Sequence, residues 1–345
     1  MKIKVLLVDD SSFMRVVLSD IVNSSPDITV LDTAVDGKEA VDKTRLLKPD
    51  VVLLDLTMKD YDGLYAVKHI MADCPTPIVI LSSLGNTNPD AYVEALEAGA
   101  YDFLNKPEGI INSKIRNIDQ LIFEKIKAAS RIDIKNLKLR TTNINNHIHT
   151  FDKRLPFHAV VIGSSTGGTG AIEHIIINLP QNFPVPVLVA QHMPAEFVNS
   201  FASRLNGLTP LDVKVAEEGE ILRGNTVYIM PGYTNTFVKR RGEQKVVFEF
   251  TDKSYPEFNH PSVDCLMTSA AEVYGKNLIA LILTGMGKDG TEGMKAIYGK
   301  GGYTIAQDEK SSVVWGMPKS AYEAGIVKQV LPLNDMPHFI VSALS

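Results

Sequence analysis

Along the first third of the chain, apolar residues fall into short runs separated by amphipathic stretches. Runs at Lys4–Val8, Ile28–Ala34, Val51–Leu54, Ile78–Leu81 and around Asp102–Leu104 have the length of buried strands. Between them apolar positions step by three and four, as in Phe13, Val16, Val17, Ile21 and in Ala40, Val41, Thr44, Leu47. That is the period of a helix with one buried face. The alternation predicts a flavodoxin-like, doubly wound parallel α/β domain, closed by a helix from about Ile110 to Lys127.

The pattern then breaks. From Ser130 to Leu155 Asn, Thr, His and Lys accumulate and apolar residues scatter, which reads as a linker; His147 and His149 within it read as solvated. The expected division is a first domain over 1–125, a linker over 126–155 and a second domain over 156–345. The second is again a parallel-sheet α/β domain, with strands at Ala159–Ile162, Val185–Ala190 and Leu278–Leu283. Runs at Val227–Met230, Thr236–Lys239 and Lys245–Phe250 follow, and the turn Arg240, Arg241, Gly242, Glu243 predicts an antiparallel hairpin.

Composition narrows the class. The 345 residues are 45% hydrophobic and carry a net charge of -5, enough apolar material for two cores and the wrong sign for general affinity to nucleic acid or anionic membranes. Cys74 and Cys265 are the only cysteines, so no disulfide framework is expected. The start MKIKVLLVDD is too short in its apolar run for a signal peptide, and no run reaches the roughly 18 residues of a membrane span. The expectation is a cytoplasmic protein with no membrane insertion and no nucleic-acid partner.

Candidate chemistry sits at strand ends. After Ala159–Ile162 the chain reads Gly163, Ser164, Ser165, Thr166, Gly167, Gly168, and the spacing Gly163, Ser165, Gly167 fits a nucleophile elbow centred on Ser165. Centring it on Ser164 would need a glycine at Ile162. The same glycine-rich turn can cradle a phosphate, so a nucleotide- or partner-binding domain is the rival reading. Two later strand ends favour hydrolysis: Val185–Ala190 runs into Gln191 and His192, and Leu278–Leu283 runs towards Asp289. A serine hydroxyl needs an imidazole to take its proton and a carboxylate to orient that imidazole. The absence of a GK[ST] motif and of an acidic residue at the second strand end argues against the nucleotide reading.

A second cluster lies in the first domain. Asp9 and Asp10 end the first strand, Asp55 the third, Ser82 the fourth, and Lys106 follows the fifth. Three carboxylates in one pocket call for a hard cation such as Mg²⁺, and with a hydroxyl and a lysine they suit phosphoryl transfer to an aspartate. Helix capping by Asp10, Ser11 and Ser12 is the plainer alternative, but it leaves Asp55 and Lys106 unexplained.

These residues resemble the receiver domain of two-component response regulators over positions 1 to about 125. The resemblance implies Asp55 as phosphorylation site, Asp10, Asp55 and the Thr57 carbonyl as Mg²⁺ ligands with Asp9 assisting, and Ser82 and Phe103 as a switch pair. Asp60, Asp62 and Gly63 would lie in the following loop, where Lys59 stands in place of a frequent proline. Residues 156–345 resemble the catalytic domain of the chemotaxis protein-glutamate methylesterases, through Gly163–Gly168, Gln191–Pro194, Pro261–Asp264, Thr284–Gly290 and Gly316–Pro318. That resemblance puts the triad on Ser165, His192 and Asp289 and places Thr166 and Met286 near the oxyanion and substrate. Asn259 and His260 depart from the expected His, Arg pair. The implied activity is phosphorylation-gated hydrolysis of glutamate γ-methyl esters on chemoreceptor cytoplasmic helices, with glutamine deamidation beside it. The implied phosphodonor is a chemotaxis histidine kinase.

Overall fold

The computed structural model describes residues 2–82, 88–106, 115–132, 157–242, 245–256 and 260–344. The chain divides into two compact units, Met1–Leu139 and Arg140–Ser345.

In the first unit strands β1 (Ile3–Val8), β2 (Ile28–Ala34), β3 (Val51–Asp55), β4 (Ile78–Ser82) and β5 (Asp102–Asn105) pair in the order β2-β1-β3-β4-β5, all parallel. Helices α1 (Ser12–Ser24), α2 (Gly37–Leu47), α3 (Gly63–Asp73), α4 (Pro89–Glu97) and α5 (Ile115–Ala129) connect and close it. Every residue of β3 is buried, as a strand covered on both faces requires. The helix starts are written into the chain: the side chains of Ser11, Asp36 and Asp62 accept the amides of Met14, Glu39 and Tyr65. Three expectations change here. Gly63 opens α3 and is not a loop residue, because Asp62 caps that helix. Asp10 caps nothing; Ser11 is the cap. Helix α5 runs on to Ala129, past the expected boundary at 125, and positions 107–114 lie outside the described residues, as do 133–156 with His147 and His149.

The second unit holds seven parallel strands: β6 (Ala159–Ser164), β7 (Val187–Gln191), β8 (Asp212–Val215), β9 (Thr226–Ile229), β12 (Leu278–Ile282), β13 (Tyr303–Gln307) and β14 (Gln329–Leu331). Their order is β14-β13-β12-β6-β7-β9-β8, and the antiparallel hairpin β10 (Asn235–Arg241) and β11 (Lys245–Thr251) stands apart as its own two-stranded sheet. Helices α6 (Gly168–Ile177), α7 (Ala195–Leu208), α8 (Val263–Tyr274), α9 (Thr291–Gly299), α10 (Met317–Glu323) and α11 (Met336–Leu344) complete it. Strand β7 starts two residues later than expected because Pro186 has no amide to give a ladder. Strands β8, β13 and β14 were not expected. One core joins the central strands to α8 through Val161, Leu188, Val263, Met267, Ala280 and Ile282.

The first strand of this unit, β6, has β7 on one side and β12 on the other, so the sheet changes winding direction beside it. Such a switch point opens a crevice at the carboxyl ends of the strands. Ser165 and His192 directly follow β6 and β7, and Asp289 ends the loop that leaves β12.

Candidate active site and acidic pocket

Ser164 and Ser165 are adjacent in sequence and opposite in environment. Ser164 is fully buried, the last residue of β6, and its Oγ donates to Gln191 Oε1 at 2.6 Å. Ser165 is half-buried, and among the described residues its hydroxyl has no hydrogen-bond partner. Its backbone, by contrast, is held firmly. The Ser165 amide donates to the Thr284 carbonyl at 3.1 Å, and its own carbonyl accepts from the Gly168 amide at 2.8 Å and Gln191 Nε2 at 2.9 Å. Gln191 Nε2 also donates to the His192 carbonyl at 2.9 Å, so one amide side chain ties the two strand ends together.

Two glycines make this turn possible. Gly167 has φ +76°, a left-handed conformation with Val313 against it, and a Cβ at Gly285 would lie 2.9 Å from Ser165 Cβ and 2.3 Å from Met317 Sδ. The following Met286 is half-buried, and among the described residues its amide meets no acceptor. A free backbone amide beside the serine is the kind of donor an oxyanion requires. Thr166 is buried, and its carbonyl accepts from Thr284 Oγ1 at 2.9 Å.

His192 Nε2 lies 2.7 Å from Asp289 Oδ2. Asp289 is 2% exposed, and its carboxylate accepts the amides of Val263 at 2.8 Å, Asp264 at 2.9 Å and Gly290 at 3.0 Å, with Ser262 Oγ at 3.3 Å. Two of these amides are unpaired donors at the start of α8, where a carboxylate is favoured. Burial pushes the Asp289 carboxyl up, but the His192 bond and the amides outweigh it and hold it below its ordinary value. An ionised Asp289 fixes the proton on His192 Nε2, so Nδ1 is the ring nitrogen left to accept one. The structure joins His192 to Asp289 and puts Ser165 on the neighbouring strand end; it forms no Ser165–His192 hydrogen bond.

Several contributors escaped the sequence reading. Asn235 is fully buried; its Oδ1 accepts the Ser262 amide at 2.7 Å while Nδ2 donates to the Lys253 carbonyl at 2.9 Å, so hairpin β10–β11 sets the start of α8 under Asp289. Asp264 is buried and accepts the Gly293 amide at 2.7 Å; burial, with the Asp289 charge assisting, raises its carboxyl to about 6. His260 is exposed, and Asn259 lies outside the described residues.

In the first unit, carboxylate oxygens of Asp9, Asp10 and Asp55 lie within 4.8 Å of one another. Lys106 Nζ sits 2.6 Å from Asp55 Oδ2 and 2.7 Å from Asp9 Oδ2. Burial would lower the Lys106 pKa, but the two carboxylates raise it; burial raises that of Asp55 despite Lys106. Asp55 Oδ1 accepts the Thr57 amide at 3.1 Å. Asp9 is buried, with Oδ2 against Lys106 and Oδ1 accepting the Ser11 amide at 2.9 Å, and Asp10 is exposed beside it; three clustered carboxylates against one lysine fit a divalent cation entering from solvent. Phe103 stands edge-on to buried Tyr92 at 5.1 Å. Ser82 ends β4 opposite Asn105, and its side chain lies outside the described residues.

Comparison with known proteins gives a consistent result. A family model described as CheB methylesterase matches residues 160–340, and one described as response regulator receiver domain matches residues 5–115. A Thermotoga maritima protein named protein-glutamate methylesterase/protein-glutamine glutaminase is 43% identical over 340 residues, covering 98% of each chain. Its namesake from Pyrococcus abyssi is 40% identical over 349 residues, covering 99% of this chain and 94% of the relative. The crystal structure of the Thermotoga maritima CheB methylesterase catalytic domain superposes with a TM-score of 0.53 at 44% identity, covering 54% of this chain and 98% of that one.

Proposed function

Because the chain belongs to the CheB methylesterase family and carries a response regulator receiver domain, we propose that it hydrolyses glutamate γ-methyl esters on the cytoplasmic helices of chemoreceptors, as the methylesterase arm of chemotactic adaptation. The single observation that carries the chemistry is the buried, amide-bound Asp289 holding His192 Nε2 at 2.7 Å beside a serine whose hydroxyl is free.

Ser165 Oγ attacks the ester carbonyl while His192 Nδ1 takes the hydroxyl proton. The tetrahedral oxyanion lies against the Met286 amide, with Thr166 lining the same turn. Collapse breaks the C–O bond, and His192 returns the proton to the leaving oxygen as methanol. Water then attacks the acyl-serine through the same histidine, releasing the glutamate carboxylate and restoring Ser165. A glutamine side chain follows the same course with ammonia as leaving group, consistent with the glutaminase activity in the relatives' names.

The receiver pocket is the regulatory input. Asp55 is the phosphorylation site, a histidine kinase of the same pathway the donor, and Lys106 the cation that meets the phosphoryl charge. Asp9, Asp10, Asp55 and the Thr57 carbonyl would hold Mg²⁺, which would neutralise the phosphoryl oxygens there. Ser82 and Phe103 form the switch. Among the described residues no helix is long and apolar enough to cross a membrane, in keeping with a cytoplasmic enzyme that meets its receptors from the aqueous side.

Methanol release from methylated receptor fragments, with and without a phosphodonor, tests this reading. Release by the wild-type chain, its loss in Ser165→Ala and loss of phosphodonor stimulation in Asp55→Ala are expected. Release undiminished in Ser165→Ala refutes the nucleophile, and stimulation that survives Asp55→Ala refutes the gate.

A further inference from the structure

The two helices that begin beside His192 exchange caps. Ser262 caps α8 at the Cys265 amide, and the Val263 and Asp264 amides of the same first turn donate to Asp289, at the head of α9. Helix α9 follows Gly290, which offers it no side-chain cap. Asp264 supplies one from the other helix, its Oδ1 accepting the Gly293 amide at 2.7 Å. Each aspartate thus closes the amino terminus of the helix to which the other is attached. In the sequence Asp264 reads only as an acidic residue in the first turn of its own helix.

The start of α8 is also wedged in place. A Cβ at Gly293 would lie 2.4 Å from Met267 Cβ, and one at Gly163, on the strand that ends in the serine turn, 2.2 Å from Val263 Cγ1. Asp264 is 8% exposed, inside this contact.

We propose that Asp264 is a positioning residue for the hydrolysis: by holding Gly293 it fixes the Asp289–Gly290 turn against the start of α8 and keeps Asp289 Oδ2 on His192 Nε2. The proposal rests on the esterase reading above and adds a residue outside the triad. Asp289 is attached to the head of α9 but draws its amides from α8, so its 2.7 Å bond to His192 depends on both helix starts keeping their places. Without Asp264 the buried Gly293 amide has lost its acceptor. The first turn of α9 then shifts towards another acceptor and takes Asp289 with it, and a displacement of about 1 Å is enough to slow a positioned reaction.

The test compares full-length wild type with Asp264→Asn and Asp264→Ala at about pH 8, above the value of about 6 to which burial raises this carboxyl. Asparagine keeps an oxygen for the Gly293 amide; alanine does not. Proton NMR reads the geometry directly, through the downfield signal of the His192 ring proton held by Asp289, assigned by its disappearance in His192→Gln. The signal should persist in Asp264→Asn and broaden or vanish in Asp264→Ala. In methanol release from methylated receptor fragments, kcat should fall about tenfold in Asp264→Ala at a KM within about twofold of wild type, and Asp264→Asn should keep kcat within about twofold. An unchanged signal or an undiminished kcat in folded Asp264→Ala overturns the proposal. So does an Asp264→Asn protein that loses as much as Asp264→Ala, because charge and not the hold on Gly293 would then matter. Asp264→Ser, whose hydroxyl is one bond too short to reach Gly293, takes the place of the alanine variant if that does not fold, with the same expected and refuting results. The NMR signal needs no turnover, so it decides the role of Asp264 even if the fragments are not cleaved, whereas absence of methanol release by the wild type refutes the esterase reading alone.

Discussion

Asp289→Asn puts the proposed triad under the most direct strain, because the structure specifies what each oxygen does. Oδ1 accepts from the amides of Asp264 and Gly290 and from Ser262 Oγ; Oδ2 accepts from the Val263 amide and His192 Nε2. An asparagine keeping its oxygen at Oδ1 turns an NH₂ group towards two donors. The Val263 amide then loses its acceptor, a buried penalty of about 1–3 kcal/mol. His192 can satisfy the new donor only by moving its proton to Nδ1, which removes the base. That wrong tautomer costs about 10⁴-fold in kcat, equivalent to about 5.4 kcal/mol of transition-state stabilisation. Thermal unfolding gives the stability loss and steady-state methanol release the loss in kcat. An Asp289→Asn protein that is folded and within tenfold of wild-type kcat would refute the assignment of Asp289 as the group that orients His192.

Ser165→Ala should abolish hydrolysis at unchanged stability, whereas Ser164→Ala should retain most activity but lose about 1–3 kcal/mol, because it strands buried Gln191 Oε1; equal activity losses in the two would contradict the split. Asp264 binds its proton more tightly folded than unfolded, with its carboxyl raised from 3.8 to about 6, so its contribution to stability is full below about pH 4 and is lost as the pH rises through about 6. Asp264→Asn, still able to accept the Gly293 amide, should flatten that fall and raise the melting temperature at neutral pH by roughly 2–6 °C, and parallel pH curves for the two proteins would disprove it. Lys106→Met leaves buried Asp9 and Asp55 without their cation and should lower the stability of the first unit by about 3 kcal/mol in chelator, with Mg²⁺ restoring part of it. Calorimetry that finds no Mg²⁺-dependent difference between the two proteins would argue against the cation site.

What the chain declares by itself is local. Continuous apolar runs such as Val51–Leu54 and Val160–Ile162, set between amphipathic helical stretches, fit strands buried on both faces, and the charged or glycine-bounded residue after each then falls at a sheet edge. Asp9, Asp55, Ser165, His192 and Asp289 stand out as candidates on those grounds, because strand, turn and cap are decided by residues a few positions apart. The spacing of Gly163 and Gly167 also separated Ser165 from Ser164, and the buried Ser164–Gln191 bond gives that separation its physical reason. Short edge strands such as Gln329–Leu331 carry too few residues for a period to register. Tertiary structure alone decided which ring nitrogen of His192 meets Asp289, and that the start of α8 supplies the amides holding that carboxylate. Asn235, Ser262 and Asp264 lie 25 to 54 residues from Asp289 in sequence. A backbone amide leaves no signature in a side-chain pattern, and its direction is set only when the hairpin, the helix and the central strands pack into one core.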